Sequence, residues 1–519
     1  MANANLYALL QAGFAADRDS TAIETPARHY SWNDIERISA CYANLLESLR
    51  LPAGARVAVQ VEKSPEALML YLATLRAGFV YLPLNTAYRE AEIEYFLRDA
   101  EPSVVVCSPA NLSWVSELAG RCGASQVYTL DEHGAGTLDE ASADEDERFE
   151  TVASQPDDLA AILYTSGTTG RSKGAMLSHR NLYSNAQVLN SYWGWTGDDV
   201  LLHMLPIFHV HGLFVGAHGA LLAGARMIWL PKLDIEQALH YLPRCTVMMG
   251  VPTYYVRLLA EPRFTRELCA GMRLFVSGSA PLLADTFNAF RERTGHTILE
   301  RYGMSETVML TSNPYDESEG PRIAGTVGRP LPGVQVRVVN DDDIPLGPGL
   351  IGKVQVRGPN VFSGYWRMPE KTREEFTADG WFRTGDVGRW GSILDDDGQV
   401  IQAIPDHYLS IVGRSKDLII TGGFNVYPKE IESFIDELPG VVESAVIGVP
   451  HADFGEAVVA VVVAEPGRTV DPQAVQASLK RQIANFKVPK HIVVVDQLPR
   501  NTMGKVQKNV LRETYASLG

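Results

Sequence analysis

Residues 164–174 read YTSGTTGRSKG, a run of glycines and hydroxyl side chains that directly follows the apolar run LAAIL. A strand that leads into such a loop lets backbone N–H groups and hydroxyl groups approach a phosphate closely. The common phosphate loop GxxxxGK[ST] is absent, because Lys173 stands three residues after Gly170 and no Ser or Thr follows it. The stretch therefore predicts a phosphate-binding loop of another type, and its position behind an apolar strand disfavours a merely flexible linker.

Four further stretches place a charged residue or a glycine pair where chemistry is possible: ERYGMSET (300–307) with Glu306, WFRTGDVG (381–388) with Asp386, GRSKDLIITGGFNVYPKEIE (413–432) with Arg414 and Gly422–Gly423, and LPRNTMGKVQKNVLR (498–512) with Lys505. A carboxylate can hold a metal ion on phosphates or accept the hydroxyl groups of a ribose. Each stretch alone is a weak signal, since a lone acid or a lysine near a terminus is usually solvated surface charge.

Composition excludes several classes of protein. The net charge of −16 argues against nucleic-acid binding, because polyanion binders carry basic faces. Five scattered cysteines without a CxxC motif favour a reducing compartment over a disulfide framework or a zinc site. The first residues show no export signal, so a cytoplasmic enzyme is expected. The uncharged stretch 205–224 contains three histidines and four glycines, which favours a buried helix over a membrane span.

Strand-like and helix-like segments alternate in the first part of the chain: RVAVQV (56–61), SPEALMLYLATLRAG (64–78), FVYLPL (79–84), REAEIEYFLRDA (89–100) and SVVVCS (103–108). In the first helix, Ser64 is the expected N-cap, Pro65 the first helical residue and Gly78 the stop. The βαβαβ order predicts an α/β fold with a largely parallel sheet and helices on its faces.

The pattern changes towards the C-terminus. From residue 325, short strands and turns predict a small antiparallel β-barrel, and after IVGRSKD a compact α+β unit follows. We therefore predict a large N-terminal portion, 1–413, of α/β sheets layered with helices, in which 325–413 is β-rich. A small, mobile C-terminal domain, 414–519, completes the predicted organisation.

Seven motifs in order, RAGFVYLPLN, YTSGTTGRSKG, RYGMSET, RTGDVG, GRSKD, GGFNVYPKEIE and RNTMGK, closely resemble the adenylate-forming superfamily of acyl-CoA synthetases, luciferases and peptide-synthetase adenylation domains. The resemblance runs from about residue 25 to the end. It implies two half-reactions with ATP, Mg²⁺ and coenzyme A. A carboxylate first attacks the α-phosphate of ATP to give acyl-AMP and pyrophosphate, and a thiol, usually coenzyme A, then displaces AMP.

The resemblance also assigns the nucleotide and coenzyme A positions: Thr165, Ser166, Gly167, Thr168, Thr169, Gly170 and Lys173 to the β- and γ-phosphates, Tyr302 to the adenine with Ser279 and Ala280 on its other face, Gly303, Met304 and Ser305 beside it, Asp386 and Arg414 to the ribose, and Gly422 and Gly423 to the thiol arm.

Three catalytic positions and a hinge follow from the same resemblance. Two anions must meet in the first step, so positive charge is needed at the reacting centre, and Lys505 supplies it. Mg²⁺ lies near Glu306, and Lys173 steadies the loop or the leaving pyrophosphate. Lys416 occupies the hinge position about which the C-terminal domain rotates between the half-reactions.

Two arginines fall where the resemblance puts the acyl pocket, Arg257 in GVPTYYVRLL and Arg301 directly before Tyr302. Taken singly, Arg257 could be an exposed helix residue and Arg301 could pair with Glu300. The pair, with His209, instead suggests a second carboxylate on the substrate. Together with SGSAPLLADT and LPRNTMGKVQKNVLRETY, they resemble the malonyl-CoA synthetase branch, with methylmalonate as a further substrate. The alternative is a short- or medium-chain monocarboxylate acyl-CoA synthetase.

The stretch between Asp386 and Gly413 is about twice as long as the superfamily usually has, so 393–407 resembles an insertion beside the hinge. An ATP-dependent kinase and a non-catalytic nucleotide-binding protein are the other classes. The absence of a GK[ST] loop disfavours the kinase. The presence of Lys173, Glu306, Asp386 and Lys505 disfavours the non-catalytic protein. We expect small-molecule partners only, and a monomer or a homodimer.

Overall fold

The computed structural model describes residues 3–165, 172–394, 399–421, 424–451, 454–483, 485–501 and 504–519. Within these ranges the helices are α1 (Leu6–Gln11), α2 (Trp32–Ser48), α3 (Pro65–Arg76), α4 (Glu90–Ala100), α5 (Leu112–Arg121), α6 (Thr137–Ser142), α7 (His179–Tyr192), α8 (His218–Ala223), α9 (Ile235–Tyr241), α10 (Pro252–Leu259), α11 (Ala284–Thr294), α12 (Pro369–Glu375), α13 (Pro428–Asp436), α14 (Pro472–Leu479) and α15 (Lys508–Thr514).

The strands of the same ranges are β1 (Thr21–Glu24), β2 (His29–Ser31), β3 (Arg56–Gln60), β4 (Val80–Pro83), β5 (Val104–Cys107), β6 (Gln126–Thr129), β7 (Leu159–Thr165), β8 (Lys173–Ser178), β9 (Val200–His203), β10 (Arg226–Trp229), β11 (Val247–Gly250), β12 (Leu274–Ser277), β13 (Ile298–Met304), β14 (Val308–Ser312), β15 (Arg329–Pro330), β16 (Gln335–Val339), β17 (Ile351–Arg357), β18 (Gly364–Tyr365), β19 (Phe382–Trp390), β20 (Ile393–Leu394), β21 (Val400–Gln402), β22 (Leu409–Arg414), β23 (Ile419–Thr421), β24 (Phe424–Val426), β25 (Val441–His451), β26 (Gly455–Ala464) and β27 (His491–Val495).

A seven-stranded sheet in the order β18-β8-β7-β4-β3-β5-β6 forms the first layer. Strands β7, β4, β3, β5 and β6 run parallel, which confirms the predicted βαβαβ order. Helix α3 begins as expected, because the Ser64 hydroxyl oxygen accepts the N–H of Ala67 at 3.0 Å. It ends before Gly78, whose φ of +72° suits a residue without a side chain.

A nine-stranded sheet in the order β15-β14-β13-β12-β11-β9-β10-β1-β2 forms the second layer. Its six central strands, from β13 to β1, are parallel, and antiparallel strands flank them on both sides. One apolar cluster contains buried residues of both sheets and of α3. Every residue of α3 is buried. The stretches 164–174 and 300–307 lie at strand ends of these two sheets, so this shared core fixes the positions of these two motifs relative to each other.

Residues 211–223 of the stretch 205–224 form a largely buried helical segment, as expected from its glycines and histidines. A π-helical turn, His211–Ala217, leads directly into α8, and all residues of the turn are buried. None of the helices in the described ranges is long and apolar enough to cross a membrane.

The β-rich part contains a four-stranded antiparallel sheet in the order β16-β17-β19-β22. The predicted barrel is wrong, because the described parts of the outer strands β16 and β22 do not pair and the sheet is not closed. The α/β class of the chain is otherwise confirmed.

The segment predicted to be an insertion, 393–407, contains a separate two-stranded sheet of β20 and β21. Val400 and Ile401 on β21 keep 60% and 56% of their surface exposed. Strand β21 therefore adds little to the core, and the pair is separate from the sheet that contains β19 and β22.

The C-terminal part forms a five-stranded sheet in which β24, β23, β26 and β25 are neighbours and β27 pairs with β26. Helices α13 and α14 cover one apolar cluster of this sheet, and α15 covers the other. Strand β22 ends at Arg414, and a single 3-10 turn, Ser415–Asp417, connects it to this unit.

Candidate active site

The paired strands β19 and β22 bring two of the predicted ribose residues face to face. Asp386 lies opposite Arg414 in the register, and Arg414 Nε lies 2.8 Å from Asp386 Oδ1. The other carboxylate oxygen accepts the hydroxyl group of Tyr302. The carboxylate of Asp386 holds the pKa of Arg414 above its usual value. A fixed carboxylate beside a guanidinium can hold vicinal hydroxyl groups and a phosphate at the same time.

The strand that carries Tyr302 is distorted where the predicted adenine site lies. The register of β13 against β14 shifts between Tyr302 and Gly303. A Cβ atom at Gly303 would lie 1.8 Å from the carbonyl oxygen of Val308, so only glycine allows this approach. Opposite, Ser279 has a φ of +72°, which turns the Ser279–Ala280 backbone after β12. Tyr302, Ser279 and Ala280 are all half-buried, as a site that opens to a ligand requires.

Glu306 lies at the start of the next turn and is buried. Its Oε1 accepts the hydroxyl group of Tyr365 at 2.9 Å, and burial raises the pKa of its carboxyl group. Lys173 is close to the same tyrosine, with its ammonium 4.2 Å from the centre of the Tyr365 ring. The structure therefore groups two predicted catalytic residues around one aromatic side chain that the sequence analysis did not single out.

Lys505 reaches this region from the C-terminal part of the chain. Burial lowers the pKa of its ammonium group, and the charges of Arg414, Asp386, Glu306 and Arg301 act on it. The residue itself is exposed. The lysine therefore lies where positive charge at a reacting phosphate and carboxylate would be needed.

Arg301 is the second notable cation of the site. It is 5% exposed on β13, and its Nε and Nη2 find no hydrogen-bond partner in the described residues. The interpretation that it pairs with Glu300 is not supported, since neither residue appears in an ion pair among the described residues. Burial lowers the pKa of Arg301 to about 9, so its guanidinium remains charged at neutral pH.

The comparisons with known proteins agree with this geometry. The family model described as "AMP-binding enzyme" matches residues 10–366, and its C-terminal domain model matches residues 430–505. The chain belongs to the AMP-binding enzyme family. A mitochondrial malonate–CoA ligase of Mus musculus is 35% identical, over 96% of this chain and 89% of the relative.

A second relative and a solved structure extend the comparison. A malonate–CoA ligase of Arabidopsis thaliana is 34% identical, over 89% of this chain and 78% of the relative. The crystal structure of ATP-bound MatB from Rhodopseudomonas palustris is 56% identical, covers 99% of both chains and superposes with a TM-score of 0.93. The arrangement described above is thus the fold of an ATP-binding member of the family.

His209 lies beside the two site cations in this AMP-binding enzyme. Burial and the charges of Lys505 and Arg301 lower its pKa to about 3, so its imidazole is neutral at physiological pH. His211 and Ser277 are further polar residues here, and the sequence analysis missed both. His211 Nε2 and Ser277 Oγ are buried with no partner in the described ranges. The signal was present, since His211 follows His209 within HVH and Ser277 ends the apolar run LFVS.

Arg257 has a different environment. It lies near the end of α10 and is exposed, whereas Arg301 is buried. Its charge still acts on Tyr254, a half-buried residue of the same helix. The two arginines predicted to act together therefore differ in burial: Arg301 is buried in the protein, and Arg257 is exposed at its surface.

The remaining site residues are placed only in part. Gly303, Met304 and Ser305 are half-buried beside Tyr302. Thr165 is the last residue of β7 and Lys173 the first of β8, and the two are paired in the strand register. Lys416 is exposed in the 3-10 turn after Arg414. Seven predicted residues lie outside the described ranges: Ser166, Gly167, Thr168, Thr169, Gly170, Gly422 and Gly423.

Proposed function

We propose that this enzyme is an AMP-forming ligase that joins malonate to coenzyme A. The observation that carries the proposal is Arg301, a buried guanidinium whose Nε and Nη2 have no partner among the described residues and which lies close to Lys505 and His209. A buried cation without a counter-ion is costly, and a substrate carboxylate would compensate it. Malonate carries one carboxylate for this contact and a second for reaction with ATP. The malonate–CoA ligases of mouse and Arabidopsis support the same acid.

In the first half-reaction, a carboxylate oxygen of malonate bonds to the α-phosphorus of ATP and pyrophosphate leaves. Lys505 would lie against both the carboxylate and the α-phosphate and lower their repulsion. Asp386 and Arg414 would hold the ribose, and Tyr302 the adenine, so that the nucleotide stays fixed while pyrophosphate departs. Lys173 would neutralise the departing charge from the end of the loop.

Glu306 fits a Mg²⁺ ion that arrives with the nucleotide. Mg²⁺ is commonly held by one or two carboxylates together with substrate phosphates. The described part of the chain has no group of three or more metal-ligating side chains, so the phosphates would complete the coordination. When bound, the ion would spread the negative charge of the triphosphate. Glu306 is buried, and the hydroxyl group of Tyr365 holds its carboxylate in place.

In the second half-reaction, the thiol of coenzyme A attacks the acyl carbon and AMP leaves. We propose that residues 414–519 then rotate as a domain about Lys416 against residues 1–413, of which 325–413 form the β-rich part. The single turn between β22 and β23 supports this division. Rotation would withdraw Lys505 and bring Gly422 and Gly423 to the thiol path. We further propose a monomer or homodimer in the cytoplasm; the five free cysteines support a reducing compartment.

An acid panel tests the function. The purified enzyme, ATP, Mg²⁺ and coenzyme A are incubated with malonate, methylmalonate, succinate, acetate, butyrate or octanoate, and AMP and ADP are measured. We expect AMP and a kcat/KM for malonate about 10–100-fold above that for acetate, because each charge-assisted contact contributes about 1.5–3 kcal/mol. Methylmalonate should follow malonate, as one methyl group discriminates by only about 1–3 kcal/mol. ADP instead of AMP would indicate a kinase or ATPase, and equal use of acetate a monocarboxylate enzyme.

Replacing the two arginines tests the contact itself. Arg301→Ala should lower kcat/KM for malonate by about 10–100-fold and that for acetate much less, because only malonate has a second carboxylate. Arg257→Ala is the matched variant and should show the same selectivity with a smaller loss, since an exposed arginine is screened by solvent. The measurement is the malonate-to-acetate ratio of kcat/KM, with the KM for ATP as a control because Arg301 adjoins Tyr302. A ratio unchanged in both variants would exclude the dicarboxylate contact.

A further inference from the structure

Tyr365 connects two parts of the active site that come from distant parts of the sequence. Its hydroxyl group donates to Glu306, and its ring lies under the ammonium group of Lys173. The tyrosine is only 3% exposed. A single buried side chain thus contacts the proposed metal-binding carboxylate and the lysine at the end of the phosphate loop.

The backbone fixes this position. The short strand β18 pairs antiparallel with β8, and Tyr365 lies opposite Ala175. Alternate residues of a strand share a face, so Lys173, two residues before Ala175, projects on the side of Tyr365. Phe362 packs edge-on against the tyrosine ring, with ring centres 4.8 Å apart. The ring is therefore held by its neighbours, independently of any ligand.

Lys173 has a second partner that keeps it against the ring. Glu375 Oε1 at the end of α12 lies 3.6 Å from the ammonium of Lys173 and 3.1 Å from that of Lys371. A cation between an aromatic face and a half-buried carboxylate loses much of its freedom to move. Glu306 is held in the same way by a hydrogen bond to the opposite end of the tyrosine.

We propose that Tyr365 is a positioning residue that orients Glu306 through its hydroxyl group and Lys173 through its ring. The two contacts serve different ligands: the hydroxyl contact serves Mg²⁺, and the ring contact serves the terminal phosphates of ATP. The inference rests on the roles proposed above for Glu306 and Lys173. Because the contacts belong to different parts of one side chain, two substitutions separate them.

Tyr365→Phe keeps the ring and removes only the hydroxyl group. We expect the Mg²⁺ concentration for half-maximal AMP formation to rise about tenfold, as one hydrogen bond to a charged group is lost. Binding of ATP without metal, measured by calorimetry in EDTA, should stay unchanged because Lys173 still rests on the ring.

Tyr365→Leu removes both contacts. The dissociation constant of metal-free ATP should then rise about two- to fivefold, in addition to the Mg²⁺ effect. In a double-mutant cycle with Lys173→Met, the two losses should not add, because the ring acts through the lysine. Additive losses, or equal effects of Phe and Leu on metal-free ATP, would overturn the proposal.

Tyr408→Phe is the matched control. Tyr408 is also a fully buried tyrosine whose hydroxyl donates a hydrogen bond, at 2.8 Å to the carbonyl of Pro321, without contact to Glu306 or Lys173. Tyr408→Phe should change neither the Mg²⁺ dependence of AMP formation nor the binding of metal-free ATP. The stability of every variant is measured by thermal unfolding. A Tyr408→Phe variant with the same Mg²⁺ shift would contradict a specific role. Metal-free ATP binding does not depend on the acid, so failure of the malonate assignment is recognised separately in the wild-type acid panel.

Discussion

Lys505→Ala should abolish formation of the acyl-AMP while ATP still binds. Its ammonium lies among Arg414, Asp386, Glu306 and Arg301, where the reacting carboxylate and the α-phosphate would meet. Removing one preorganised charge from such a centre typically costs about 10²–10³-fold in rate. The nucleotide would keep the contacts proposed for Asp386, Arg414 and Tyr302, so calorimetry should show nearly normal ATP binding. The rate is followed by malonate-dependent exchange of pyrophosphate into ATP.

The same variant should still make thioester from synthetic malonyl-AMP and coenzyme A. The proposed rotation withdraws Lys505 before the second step, so that step does not need its charge. Lys508→Ala is a suitable comparison, because it removes a nearby lysine that pairs with Glu432 of the C-terminal unit, outside the proposed site. Near-normal pyrophosphate exchange in Lys505→Ala would show that another cation serves the first step.

Lys416→Pro should leave acyl-AMP formation largely intact and stop thioester formation. Proline fixes φ near −65°, so the turn after Arg414 could no longer take up a second conformation. In this structure the charges of Arg414, Asp386 and Glu306 act on Lys505, and a blocked hinge would keep the enzyme in this state. The measurements are pyrophosphate exchange for the first step and thioester formation from synthetic malonyl-AMP for the second.

Lys416→Ala is the control for the hinge. It removes the same charged side chain and leaves φ free, so both half-reactions should continue. If proline and alanine reduce both steps to the same extent, position 416 matters for the charge or the fold and not for rotation. Thermal unfolding of both variants separates the last two explanations.

Local signals predicted a large part of the fold. Ser64 and Gly78 mark the ends of α3 through an N-cap and a positive φ, both of which depend on neighbouring residues only. The order of strands and helices predicted the parallel sheet because short crossovers favour it. The barrel was predicted wrongly, since closure depends on whether β16 meets β22, and no local pattern encodes a pairing between strands so far apart.

Some features of the candidate site could also be predicted from local motifs, and others depend on the whole fold. Asp386 and Tyr302 stand in short motifs, so their proximity followed from a resemblance carried by adjacent residues. The unequal burial of Arg257 and Arg301 could not be predicted from such motifs. It depends on which face of the sheet and which face of the helix the rest of the fold covers. The role proposed for Tyr365 depends on a hydrogen bond to a residue 59 positions away, which spacing alone does not reveal.

Gly278 packs so closely under Arg301 that a Cβ atom there would lie 2.3 Å from the guanidinium carbon. Any larger residue at this position must push the arginine out of its place. If Arg301 binds the distal carboxylate, a change at either position would disturb that contact, so use of a dicarboxylate requires both residues to be kept. The glycine–arginine combination at 278 and 301 is therefore a two-position marker by which genomic sequences of this family could be sorted into dicarboxylate and monocarboxylate users.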